Sequence, residues 1–378
     1  MKIGVLREEH DSRVALIPDI VSKFVKDGVD ILVEKKAGAK AFFDDMSYAE
    51  AGGKILAKSD LIKESDVLIS ITPPSDLTEF KGKVLVSSFQ PFNSVYPIEK
   101  LAEFNIQAFS MDMIPRTTLA QAMDVLSSMA SVAGYRAVLK AAELLPRYFP
   151  MLTTAAGSIP PSKVLILGAG VAGLQAIATA KRLGAVVEAF DTRLAAKEEV
   201  MSLGAKFVEV EGAKDDKAAG GYAVEQTEEY KIKQKELIKE HIIKSDVVIT
   251  TAQLRGKPAP KLITKEMVEL MRPGSVVIDL ASSTGGNCEL TVDQQTIKHG
   301  DITIFGNSEL SAEMPMHASQ LYSKNIYNYV SILIKEKEFA PDFNNEIVSG
   351  SCIVFNGKVL YGNPEEAKLL TTESSTES

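Results

Sequence analysis

KVLILGAGVAGLQAIATAKRLGA, residues 163–185, is the stretch on which the fold turns. An apolar run, Lys163–Leu167, leads directly into Gly168-Ala169-Gly170-Val171-Ala172-Gly173, and a helical run follows without a break. A bare GxGxxG carries little weight. A strand before it, a helix after it and an acid further on supply the context that a dinucleotide-binding turn requires. Gly168 allows the tight turn, Gly170 lets the backbone approach a pyrophosphate, and Gly173 lets the helix pack closely on the strand. The start of that helix, at Val171 and Ala172, then faces the phosphates. The next strand, AVVEAF from Ala185, ends at Asp191, eighteen positions beyond Gly173. Its carboxylate can accept hydrogen bonds from ribose hydroxyls and repel a 2′-phosphate, which favours NAD(H) over NADP(H). Arg193, just past Thr192, can instead attract that phosphate, so the alternative stays open.

Outward from this turn, apolar runs recur at strand length: KFVEV from Lys206, DVVIT from Asp246, SVVIDL from Ser275 and ITIFG from Ile302. A similar series precedes it, with KIGVLRE from Lys2, DILVEK from Asp30, DVLISI from Asp66, VLVSS from Val84 and IQAFSMD from Ile106. Strands alternating with helical segments predict parallel sheets with crossover helices. One such helix starts near Pro18, with Ile20, Val21, Phe24 and Val25 on one face and a stop at Gly28. Two long stretches free of turn residues, Thr118 to about Leu145 and Ala312 to Lys335, predict long helices on either side of the second series. The expected architecture is α/β, with two Rossmann-like doubly wound domains joined by two long helices. Residues 1–125 and 312–378 form the first, and the nucleotide domain, 126–311, is inserted in it. The tail TTESSTES from Thr371 has no apolar anchor and is expected to be disordered.

The bulk composition excludes several classes. With 378 residues and 45% hydrophobic content the chain can bury two sizeable cores. A formal charge of -8 offers no basic field for a phosphate backbone, so no nucleic-acid partner is expected. The two cysteines, Cys288 and Cys352, stand alone and read as buried small residues rather than a disulfide framework. His10, His241, His299 and His317 lack metal-ligand spacing, so no metal is expected. Neither a signal peptide nor a membrane-length apolar run is visible, and a cytoplasmic location is expected.

MIPRTTLAQAMDVLSSMASVAGYRAV from Met113, GAGVAGLQAIATAKRLGA from Gly168 and the segment from RGKPAPKLIT to IDLASSTGGNC together resemble domain I of the proton-translocating transhydrogenases. These share a family with alanine dehydrogenase, and the resemblance covers almost the whole chain. It implies NAD(H) on this chain and a homodimer. It also implies a membrane-embedded partner subunit at the inner face of the plasma membrane, and NADP(H) on a partner domain that receives hydride. Arg116, Gln121, Asp124 and Ser127 match the family's nucleotide-contacting loop. Their spacing alone would equally suit one side of a helix. By the resemblance, Arg116 donates and Asp124 accepts at the nicotinamide carboxamide, while Gln121 does both. Glu211 to Tyr230 resembles the family's mobile loop, with Gly221 and Tyr222 closing over nucleotide; Gln234 and Leu254 match further nucleotide positions.

Alanine dehydrogenases carry a catalytic Lys and His beside a carboxylate-binding Arg. The Arg is matched by Arg13, but Thr72 and Gln90 stand at the other two positions. Neither can act as an acid or base, whereas hydride passage between two nicotinamide rings needs none. An alanine-type amino-acid dehydrogenase and a nucleotide-sensing module without chemistry are the alternatives.

Overall fold

The computed structural model describes residues 1–93, 96–210, 228–363 and 366. The chain divides into two compact units, Met1–Met129 with Ala312–Ser378, and Ala130–Ser311.

The first unit is built on an eight-stranded sheet. Its six parallel strands are Lys2–Val5, Asp30–Glu34, Lys54–Leu56, Val67–Ile69, Val84–Ser87 and Gln107–Ser110. Across the sheet they run third, second, first, fourth, fifth, sixth, so the order reverses between Lys2–Val5 and Val67–Ile69. Cys352–Phe355 then adds antiparallel to Gln107–Ser110 and is followed by Lys358–Val359. All six strands of this parallel set except Lys54–Leu56 are largely buried, as the apolar runs demand of a sheet covered on both faces. Helix α1, Pro18–Lys26, has Pro in its first turn and buries Ile20, Val21 and Phe24, while Val25, expected on the same face, is 37% exposed. Gly28 ends it with φ +82.

The second unit repeats the order. Lys163–Leu167, Val186–Phe190, Lys206–Phe207, Val247–Thr250, Val276–Asp279 and Ile302–Gly306 are parallel, again third, second, first, fourth, fifth, sixth. Each apolar run of the second series is therefore a strand. Gln295–His299 adds an antiparallel edge, and a separate hairpin pairs Leu152–Thr154 with Gly157–Ile159.

The long helices differ from expectation at their starts. Helix α2 covers Val125–Leu144, not Thr118 onwards. Thr118–Met123 is a short 3-10 turn. Asp124 separates the two because its carboxylate accepts from the Ser127 amide at 2.9 Å and the Ser127 hydroxyl at 2.6 Å, which caps α2. Helix α3 is Val171–Arg182, and α4, Glu228–Lys244, begins inside the segment expected to be a loop. Helix α5, Pro315–Ser331, fills most of the second turn-free stretch, after which Ile334–Lys335 pairs with Glu338–Phe339. The tail from Thr371 lies outside the described residues. Cys288 and Cys352 are both buried. Among the described residues no helix is long and apolar enough to cross a membrane.

Within the second unit Gly134 of α2 lies against the start of α3: a Cβ there would sit 2.1 Å from the Ala172 carbonyl oxygen. Helix propensity alone favours Gly134→Ala by about 1 kcal/mol, but overpacking costs about 1–3 kcal/mol. The variant should therefore unfold at lower urea concentration than the parent by circular dichroism. A higher midpoint would mean that the contact yields freely.

Candidate functional site

In an open α/β sheet the crevice forms where the strand order reverses, beyond the carboxyl ends of the strands. In the second unit this point lies between Lys163–Leu167 and Val247–Thr250, and the glycine turn follows the first of them. The three glycines differ physically. Gly168 has φ +104, and a Cβ would lie 2.5 Å from the Thr251 hydroxyl, which donates to the Gly168 carbonyl at 3.1 Å. Gly173, in the first turn of α3, has no room at all: its Cβ would be 1.9 Å from the Gly168 carbonyl oxygen. Gly170 is the opposite case, with nothing within 4 Å of an added Cβ. The turn is thus closed at both ends and open at its middle.

Gly170 precedes α3, so the amides of Val171, Ala172 and Gly173 occupy the first turn of a helix, where intrahelical acceptors are lacking. Open space, a helix N-terminus and a nearby carboxylate fit a dinucleotide pyrophosphate and ribose. Asp191 supplies the carboxylate. It accepts from the Ala169 amide at 2.8 Å, the Arg193 amide at 2.8 Å, and the Arg193 side chain through Nε at 2.9 Å and Nη2 at 2.9 Å. Burial opposes its ionisation, yet the Arg193 hydrogen bonds and charge outweigh burial and hold the carboxyl below the usual carboxylate range. Arg193, read from sequence as a possible phosphate ligand, is forked onto Asp191; Thr192 lies between them, half-buried.

Leu254 is exposed in a loop closed by its own bridge to Lys257. Asn287, which the sequence did not single out, holds this loop: its amide donates to the Ala252 and Pro260 carbonyls at 2.8 Å each and accepts from the Ala252 amide at 3.0 Å. Gln234 is half-buried on α4. Gly221 and Tyr222 lie outside the described residues.

In the first unit Arg116 and Gln121 are exposed, and neither side chain has a hydrogen bond or ion pair among the described residues. Gln121 sits in the Thr118–Met123 3-10 turn, ahead of α2. Asp124 and Ser127 are committed to each other at the start of α2.

The first unit's own reversal point is filled differently. Glu8, buried, accepts from the Ile71 amide at 2.6 Å and the Thr72 amide at 3.1 Å. Burial pushes its carboxyl up to about 7, with those two amides opposing and Asp11 adding to the rise. Arg13 is buried and paired with Asp11 through Nε at 2.9 Å and through Nη2. Gln90 has φ +48 and accepts from Asn93 at 2.8 Å. Among the described residues no group of three or more His, Cys, Asp or Glu is placed to hold a metal ion.

The folded pKa of Glu8 lies above its unfolded value. Its contribution to stability is therefore present below about pH 4.5 and lost as pH rises through about 7. Glu8→Gln should gain on the parent in urea stability as pH is raised from about 5 to about 7.5. A difference that stays constant over that range would show that Glu8 titrates alike in both states.

Comparison with known proteins agrees along both units. Residues 4–133 match the family described as Alanine dehydrogenase/PNT, N-terminal domain, and residues 137–362 match Alanine dehydrogenase/PNT, C-terminal domain. The chain is 42% identical over 366 residues to the NAD(P) transhydrogenase subunit alpha of Haemophilus influenzae, covering 95% of this chain and 71% of that one. It is 41% identical over 377 residues to a Rhodospirillum rubrum chain named as the first portion of NAD(P) transhydrogenase subunit alpha, covering 96% and 98%. A crystal structure of transhydrogenase from Sinorhizobium meliloti superposes with a TM-score of 0.84 at 37% identity, over 96% of this chain and 99% of the other.

Proposed function

This chain belongs to the alanine dehydrogenase/PNT family, and we propose that it is the NAD(H)-binding subunit of a proton-translocating transhydrogenase, which passes hydride from NADH to NADP⁺ held on a partner domain. The observation that carries this reading is an intact glycine turn, open at Gly170, on a chain whose candidate acid and base positions hold Thr72 and Gln90. Bound NADH supplies the hydride. The chain's own work is then binding and orientation, without a proton to move at carbon. Gly168, Gly170 and Gly173, with the Val171 and Ala172 amides, hold the pyrophosphate; Asp191, with Thr192 and Arg193, faces the ribose.

Arg116 and Gln121 orient the nicotinamide, since their polar groups are unspent among the described residues. Asp124 and Ser127 assist from the start of α2, and Gly221 and Tyr222 contribute to nucleotide binding. Gln234 and Leu254 line the nucleotide. Two copies form a homodimer, held at the inner face of the plasma membrane by a membrane-embedded partner subunit that couples hydride transfer to proton movement.

The deciding assay mixes the purified chain with an NADP(H)-binding transhydrogenase domain and follows hydride transfer from NADH to an NADP⁺ analogue of shifted absorbance. Transfer that requires both proteins is expected; none, with NADH still bound, would defeat the proposal. In that assay Gln121→Asn, one methylene shorter, should slow transfer about tenfold or more while NADH affinity changes little. An equal loss of both would remove Gln121 from ring orientation. Asp191→Ala should weaken NADH binding measured by nucleotide fluorescence, because the ribose hydroxyls lose their acceptor. Unchanged affinity would take Asp191 out of the ribose site.

A further inference from the structure

We infer that Asn325 and Asn328 are positioning residues that set the Gln121 side chain by clamping the turn that carries it; this rests on the proposed role of Gln121. Both lie on α5, three residues apart and so on one face of that helix. Their side-chain amides converge on a single acceptor, the Ala122 carbonyl, from Asn325 Nδ2 at 2.9 Å and from Asn328 Nδ2 at 3.0 Å. A backbone carbonyl has two lone pairs, and here both are taken. The Ala122–Met123 peptide plane, one residue beyond Gln121, is therefore fixed.

The rest of the turn is fixed by burial. Ala120 and Met123 are buried in the first unit's core, while Leu119 and Gln121 on either side of Ala120 point away from it. Within the turn, the Ala120 amide donates to the Thr117 carbonyl at 3.1 Å, and the Asp124 amide to the Gln121 carbonyl at 3.3 Å. Apolar contacts hold the turn down, and the two asparagines hold its orientation. Gln121 is left as an exposed side chain on a rigid base, which is what an orienting group requires, because a small displacement at a reacting centre costs rate far more than affinity.

Asn325 adds a second argument. It is 6% exposed, and its Oδ1 has no hydrogen-bond partner among the described residues. A buried acceptor without a donor costs stability, and an apolar side chain of similar volume would avoid that cost. An amide at this position is explained by what its nitrogen holds. Asn328, half-buried at the edge, supplies the second donor without that penalty, and its truncation opens no deep cavity.

The test uses the full chain in the hydride-transfer assay above, with NADH affinity, thermal unfolding and amide hydrogen exchange over residues 117–124 measured on the same samples. Asn328→Ala should slow transfer by roughly threefold to tenfold with NADH affinity and unfolding midpoint retained. Asn328→Asp, of the same shape but with no donor and a charge facing a carbonyl, should do no better than Asn328→Ala. The double variant Asn325→Ala/Asn328→Ala should lose more than the two single effects combined, because in each single variant the remaining amide still holds the carbonyl in part. Exchange at residues 117–124 should quicken in the same order without nucleotide or partner present. Parental transfer rates in the double variant would overturn the inference, as would a loss matched by equal losses of NADH affinity and thermal stability. Should the parent chain itself transfer no hydride, the functional proposal fails separately, and exchange alone then decides: quickened, the clamp stands; unchanged, it falls.

Discussion

The Gly168 carbonyl and the first turn of α3 approach so closely that a single added carbon at Gly173 would overlap the oxygen. Much of the nucleotide end of the second unit depends on that approach. It brings the start of the helix onto the turn, so that Gly170 faces open space rather than protein. It also places the Ala172 carbonyl where α2 can reach it only through a residue without a side chain, Gly134. On the other side Thr251 fills the gap beneath the turn and donates to the same Gly168 carbonyl. Putting a methyl group in place of one hydrogen at Gly173 would therefore disturb a helix, a turn and the strand end beyond it together.

The two units share a strand order, and the contrast between their reversal points is informative because the backbone problem is the same. Parallel strands that part in opposite directions leave backbone amides in the crevice that need acceptors. The second unit leaves its crevice open with glycines. The first spends a side chain on it: Glu8 lies over the Ile71 and Thr72 amides, and Arg13 beside it is already neutralised by Asp11. A guanidinium held in this way is poorly placed to take a substrate carboxylate. The same fold thus gives one crevice left open and one filled by its own side chains, which is why the strand order alone does not say what a unit binds.

The parallel strands are legible in the sequence because strands buried on both faces are written as unbroken apolar runs, as in KVLIL and SVVIDL. Two of the antiparallel additions are not. Gln295–His299 is mostly polar and exposed, and Lys358–Val359 is two residues long, so neither carries a periodic signal. The start of α2 is obscured for a different reason: Thr118–Met123 has a helical composition, and the stop lies in one carboxylate, Asp124, whose cap on Ser127 is a signal three residues long. The geometry of the glycine turn is legible because glycine at fixed spacing marks a left-handed residue at Gly168 and a close approach at Gly173. Asn325 is invisible because its partner, Ala122, is 203 residues away in sequence and offers only a carbonyl.

The choice between the two nicotinamide nucleotides, open from sequence, becomes a question of which donors surround one carboxylate. Asp191 offers about four lone-pair sites. The Ala169 amide, the Arg193 amide and two nitrogens of the Arg193 side chain already address them. The two backbone donors belong to the glycine turn and to the segment that follows the strand, and cannot leave without unmaking the local fold. The guanidinium is different, because the Arg193 side chain is 34% exposed while that of Asp191 is 8% exposed. In the proposed site, ribose hydroxyls would therefore compete for Asp191 with the guanidinium and not with the backbone. A 2′-phosphate meets the opposite arrangement: to bind Arg193 it must draw the guanidinium off a buried carboxylate, leaving that charge with fewer donors and its own charge close by. Burying an anion without its partner is costly, so the geometry weights the site toward a ribose that brings hydroxyls rather than charge.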